Sequence, residues 1–280
     1  MPESTPIQFE FSASRLKLID DCFGKYAYKY VHKLNIPQLV WPATIRGTIL
    51  HKILEESVNQ KLQGTPDKII LEDVEGKFVK YFDIEKKNTS KGIFTPDRNY
   101  RYDDFVQSGE KAAYIFSRFV INYFNDITFA FPELSLKFTY DFEPNVLLTG
   151  VIDLPILDKY NELRIIDFKT TKHSNKWYFV LFKEDLQSLM YFYLTWKHFH
   201  KFAVGFDYLI YNIDEKNIFF NSFSILNSID DKEKFFKPLT DRIRLVKRLH
   251  MNPDTKYFNP SQSRCKMCEY KKNKICPVAI

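Results

Sequence analysis

Only eight glycines occur in the 280 residues, and no unit repeats along the chain, which argues against collagen-like, low-complexity and solenoid architectures. Long apolar runs are missing too. None approaches the roughly 20 residues of a membrane span, and Met1 to Glu10 has neither the basic start nor the apolar core of a signal peptide. The pattern G-x-x-x-x-G-K-[ST] occurs nowhere, so the chain is not itself a helicase motor. Cysteine is confined to four positions at the two ends of the sequence: Cys22, Cys265, Cys268 and Cys276. That clustering is not a secreted disulfide framework. It points to a cytoplasm or an equivalent reducing compartment, where a C-x2-C pair with two further thiols reads as a metal site.

What is abundant is aromatic. Twenty-seven Phe and 17 Tyr supply a core large enough for one compact domain or two small ones. The net charge of +6 and pI near 8.9 suit a polyanionic partner without proving one.

The first helix is expected after Ser12 or Ser14, either of which can cap it, and runs to about Val31 with Cys22 on it or at a break near Gly24. A second helix over 44–63 carries Ile45, Ile49, Ile53 and Leu54 as its apolar stripe, with His51 and Glu55 sharing another face. Residues 63–103 read as a charged, irregular insertion or cap around short helical pieces, followed by a long helix from about Phe105 to Phe124. The period then changes. Strands are expected in 134–142, 146–157 and 162–170, separated by EPN and DKYN turns and forming an antiparallel meander. A helix over 183–199, two more strands near 203–213 and 217–225, and a helix from about Asp230 to Leu249 complete an α/β fold with a mixed sheet flanked by helices.

Asp167 and Lys169 are two apart in a strand and project to one face. The turn Asp158 to Asn161 returns the chain so that Asp153 and Asp167 can approach one another. Two adjacent carboxylates repel unless a cation joins them, and an oxygen-rich set suits Mg or Mn. Such an ion polarises a phosphodiester oxygen and activates water. Lys169 would orient that water or stabilise charge building on the phosphate, and His51 could add a nitrogen ligand. Gln187 and Tyr191 are i and i+4 on one helix face, a polar pair that either supports the site or lines a helix edge.

The ordered motifs G-x-x-x-H at Gly47 to His51, G-V-I-D at Gly150 to Asp153, I-I-D-F-K-T at Ile165 to Thr170 and Q-x-x-x-Y at Gln187 to Tyr191 resemble the RecB-like branch of the PD-(D/E)XK nucleases. The resemblance spans residues 12–276 and implies a restriction-endonuclease-like core. It implies His51, Asp153, Asp167 and the carbonyl of Phe168 as metal ligands, Lys169 as the catalytic residue, and Gln187 and Tyr191 in support. One cysteine near the start and three near the end are similar to the 4Fe-4S nucleases of AddB and of CRISPR-associated adaptation. There the cluster ties the chain ends together and closes a single nuclease domain, here 1–280. Four thiolates also suit zinc, although a ribbon more often shows two C-x2-C pairs. Cys268 and Cys276 are more widely spaced than is usual in that family, and no Pro follows Cys22.

The implied activity is exonucleolytic digestion of single strands or free DNA ends in repair, recombination or viral genome processing, with any unwinding left to a helicase or recombination partner. The segments KKNTSKG, NYRY and KHFHKF could supply phosphate contacts and base stacking, or be solvated loops and a helix end. The rival readings are an endonuclease of the same superfamily and a non-catalytic DNA-binding scaffold.

Overall fold

The computed structural model describes residues 8–36, 38–40, 42–88, 92–94, 101–124, 127–171, 185–213, 217–224, 231–252, 265 and 268–276. Two layers of helices enclose a mixed five-stranded sheet, and a smaller three-stranded sheet flanks it.

The chain opens with β1 (Phe9–Phe11) and α1 (Ala13–Asp21). Ser12 caps α1 by accepting from the Arg15 amide at 3.2 Å. The first expected helix is not continuous. Cys22 is extended at φ −174°, and the chain restarts as α2 (Phe23–Tyr26) and a π-helical turn, Ala27–Val31. β2 (Gln38–Val40) leads into α3 (Pro42–Leu62), whose Ile45, Ile49, Ile53 and Leu54 are buried as the sequence stripe requires.

The segment expected to be irregular is more helical than that. It holds α4 (Asp67–Val74) and α5 (Lys77–Asn88), because Ile70, Val74, Phe78 and Phe82 recur every fourth residue and all are buried. β3 (Gly92–Phe94) pairs in parallel with β2, and α6 (Tyr102–Tyr123) packs on α3. At Gly109 of α6 a Cβ would lie 2.2 Å from the Phe78 ring, so glycine there is what lets α5 close on α6.

The remaining strands are β4 (Ile127–Ala130), β5 (Leu134–Thr139), β6 (Val146–Ile152), β7 (Leu154–Asp158), β8 (Leu163–Thr171), β9 (Gly205–Asn212) and β10 (Asn217–Ser224). Between β8 and β9 lies α7 (Leu186–Phe199). After β10 come α8 (Lys232–Met251) and the short α9 (Glu269–Lys272).

The expected three-strand meander is divided between two sheets. β6 pairs with β5 and β1, whereas β7 pairs with β8 and β4 in the order β10-β9-β8-β7-β4. The chain changes sheet at Asp153. β8 and β9 run parallel, joined through α7, and the other neighbours in the large sheet are antiparallel.

β8 separates two cores because its side chains alternate. Leu163 and Ile165 join α1, α7, α8 and the small sheet; Ile166 and Phe168 join α3, α5 and α6. α7 is apolar nearly all round, as a central helix must be. At Gly150 of β6 a Cβ would stand 3.0 Å from Leu194 and 3.3 Å from Tyr191, so the absent side chain lets α7 lie close against β6. Among the described residues no helix is long and apolar enough to cross a membrane.

Candidate metal and catalytic site

The site forms where the chain changes sheet, beside the carboxyl-terminal half of β8. Asp153 is 7% exposed, and its Oδ2 accepts the Phe168 amide at 2.8 Å, a place that a backbone carbonyl would otherwise fill in the β7–β8 ladder. Its Oδ1 lies 3.4 Å from Nδ1 of His51, which reaches in from the middle of α3. The His51 ring stands edge-on to Phe168, 6.1 Å between centroids, which fixes its approach.

Glu133 was not anticipated from the sequence. It precedes β5 in the left-handed region at φ 50°, and its amide donates to the Asp153 carbonyl at 2.8 Å. Its Oε1 is 3.3 Å from His51 Nδ1. His51, Glu133 and Asp153 together present one ligand atom each within 4.8 Å of one another, the only such group among the described residues. The visible signal was a Glu placed just before the alternating LSLKF strand. Its partner lies 20 residues on, which periodicity does not report.

Asp167 and Lys169 share the α7 face of β8, as strand alternation requires. Asp167 is fully buried. Its Oδ1 accepts from the Gln187 amide at 2.8 Å; its Oδ2 contacts the Lys169 ammonium but has no hydrogen bond of good geometry. Gln187 also donates to Tyr191 Oη at 3.1 Å, and Tyr191 donates to the Val151 carbonyl at 2.7 Å. The Gln187–Tyr191 pair therefore faces the site and binds it to β6. Phe168 holds its place between the two acids through its amide.

The electrostatics is that of a crowded cluster of acids with His51 and Lys169 among them. Burial opposes charge on His51, yet the charge and hydrogen bond of Asp153, with Glu133 and Asp167, outweigh it and push the imidazole up to about 10. Burial likewise works against the Asp153 carboxylate, but His51, Lys169 and the Phe168 amide hold it below the usual range. Asp167 is pushed up, first by burial and then by the Asp153 charge, against the pull of Lys169 and His51. Lys169 is raised because Asp167 and Asp153 overcome its desolvation. Protons on His51 and Lys169 thus offset part of the negative charge of the cluster.

A divalent cation fits this donor set. His51, Glu133 and Asp153 offer hard oxygens and one imidazole, and the buried Asp167 has one oxygen without a hydrogen bond of good geometry, in contact with the Lys169 ammonium.

The cysteines lie elsewhere. Cys22 breaks the first helix. The C-terminal segment docks beside it through the Lys25–Glu269 ion pair at 3.0 Å and the Tyr28 and Tyr270 rings at 5.1 Å. Burial raises the Cys22 thiol; backbone amides of Lys25 and Gly24 lower it, and the Cys268 and Cys276 thiols add to the rise.

Of the basic segments, residues 89–91 of KKNTSKG and residues 99–100 of NYRY lie outside the described residues. KHFHKF sits at the far end of α7 from Gln187, roughly 18 Å along the axis, with Lys197 paired to Asp141.

A family model described as the PD-(D/E)XK nuclease superfamily matches residues 10–277. The comparison with curated proteins gives no match. Among solved structures, one described as SSO0001 is similar at 12% identity over 91% of this chain and 93% of that one, with a TM-score of 0.38.

Proposed function

The chain belongs to the PD-(D/E)XK nuclease superfamily, and on that premise we propose that it is a RecB-like DNA exonuclease acting on single strands or free ends. The superfamily implies metal-dependent hydrolysis of phosphodiester bonds. The observation that carries the assignment to these residues is the convergence of His51, Glu133 and Asp153, with the buried Asp167 and Lys169 in contact with each other and Asp167 acting electrostatically on His51.

His51, Asp153, Asp167 and the Phe168 carbonyl would hold the cation, and Glu133 would join them. When bound, Mg or Mn supplies the charge that polarises a phosphodiester oxygen and acidifies water. Lys169, which contacts Asp167, would donate to the scissile phosphate and stabilise the charge that develops there. Gln187 keeps Asp167 from rotating away. Tyr191 fixes Gln187 and anchors α7 to the strand that leads into Asp153.

The test is digestion of an end-labelled linear single strand and a closed circle with Mg or Mn, beside Lys169→Ala. Loss of the linear strand alone, and only with the unaltered protein, is expected. Cutting of the circle would replace the exonuclease reading with an endonuclease. No cutting of either would favour the scaffold reading.

The four cysteines are proposed to hold a 4Fe-4S cluster that closes residues 1–280 into one domain, with zinc as the alternative. Anaerobically purified protein should be brown and lose its colour in Cys265→Ser; a colourless protein with one bound zinc would decide for the ribbon.

A further inference from the structure

Asp185 stands two residues before Gln187, and its carboxylate, 12% exposed, is gripped from three directions. Oδ2 accepts from the Ser188 amide at 2.9 Å, which makes Asp185 the N-cap of α7, and also from the Tyr208 hydroxyl. Oδ1 accepts from the Lys17 ammonium of α1 at 2.7 Å. Tyr208 lies on β9 in register with Asp167, and Lys169 Nζ rests 5.8 Å from the centre of its ring. Burial pushes the Asp185 carboxyl up, but Lys17, Tyr208 and the Ser188 amide outweigh it and keep the group ionised.

An ordinary helix cap needs one acceptor for one amide. Asp231, the cap of α8, takes the Lys234 amide at 2.9 Å in that way. Asp185 does more, because one carboxylate joins α1, the first turn of α7 and β9. Those are the elements on which the placement of Gln187 against Asp167 depends.

We propose that Asp185, with Lys17 as its counter-ion, is a positioning residue that sets the rotation of α7 so that the Gln187 amide meets Asp167. This deepens the nuclease reading and rests on Asp167 being a ligand of the cation. The residue touches neither cation nor substrate and acts through Gln187.

The experiment compares Asp185→Ala, Asp185→Asn and Asp231→Ala by Mn titration calorimetry, by kcat and KM on single-stranded DNA, and by thermal melting. Both alanine variants lose a cap and should melt at lower temperature. Only Asp185→Ala should weaken Mn binding and lower kcat, each by about 10-fold or more, at little changed KM. Asp185→Asn, which can still cap Ser188 and accept from Tyr208, should recover most of both. Asp185→Ala behaving as Asp231→Ala, with a lower melting temperature alone, overturns the proposal. Wild-type protein that binds Mn but cuts no DNA sinks the nuclease reading, while the Mn titrations still decide the role of Asp185. Protein that binds no Mn overturns both.

Discussion

Strand β8 carries a buried ion pair at each end, and the two are built on opposite terms. Near its start, Arg164 grips Asp207 of β9 with two bonds, Nε at 3.0 Å and Nη2 at 2.9 Å, and Ser222 adds a third to the same carboxylate. Every oxygen is satisfied, and one cation meets one anion. Near its end, Asp167 contacts Lys169 but also faces Asp153 and His51, and one of its oxygens has no hydrogen bond. The first pair lies on the α6 face and the second on the α7 face. A buried charge that is fully paired serves the fold; a buried charge left crowded is held there by the rest of the structure, and such places are where function is found.

The sharpest way to break the comparison is to remove the acid from each pair. Asp167→Asn should lower cutting by about 1000-fold or more, with stability unchanged or raised by about 1 kcal/mol because a disfavoured charge has gone. Asp207→Asn should cost about 3 kcal/mol and leave kcat per folded molecule intact. Urea denaturation and single-turnover cleavage measure the two effects, and equal behaviour would erase the distinction.

A second effect follows from His51. Without a cation its imidazole is protonated at neutral pH, being pushed up to about 10, while a metal requires the neutral ring. Binding therefore expels a proton. Mn affinity should rise with pH by up to about 10-fold per unit between pH 6 and 8. Calorimetry in two buffers of different ionisation heat counts the released proton.

The smallest change concerns Glu133. Glu133→Gln should weaken Mn by about 10-fold and bring the His51 imidazole down, because one of the hydrogen bonds that raises it is gone. An unchanged Mn titration would remove Glu133 from the site.

Much of this was readable in one dimension. The β7–β8 hairpin follows from the DKYN turn. The shared face of Asp167 and Lys169 follows from strand alternation, and the Gln187–Tyr191 pair from helical spacing. The change of sheet at Asp153 was not readable, because the run VLLTGVIDLPIL stays apolar on both sides and switching partners leaves no mark on periodicity. Glu133 escaped for a related reason: a left-handed backbone and a pairing to a distant carbonyl place it. The helices α4 and α5 did leave a stripe from Ile70 to Phe82, masked by surrounding charge and by the turn at Gly76, φ 73°.

The bond from the Phe168 amide to the Asp153 carboxylate has a practical consequence. In the middle of a buried strand, an amide normally reports only whether the sheet is intact. This one ends on a side chain that a cation would claim, so its nitrogen-15 resonance and its solvent-exchange rate act as a gauge of the carboxylate. Occupancy could then be followed residue by residue in solution, with no nucleic acid in the tube.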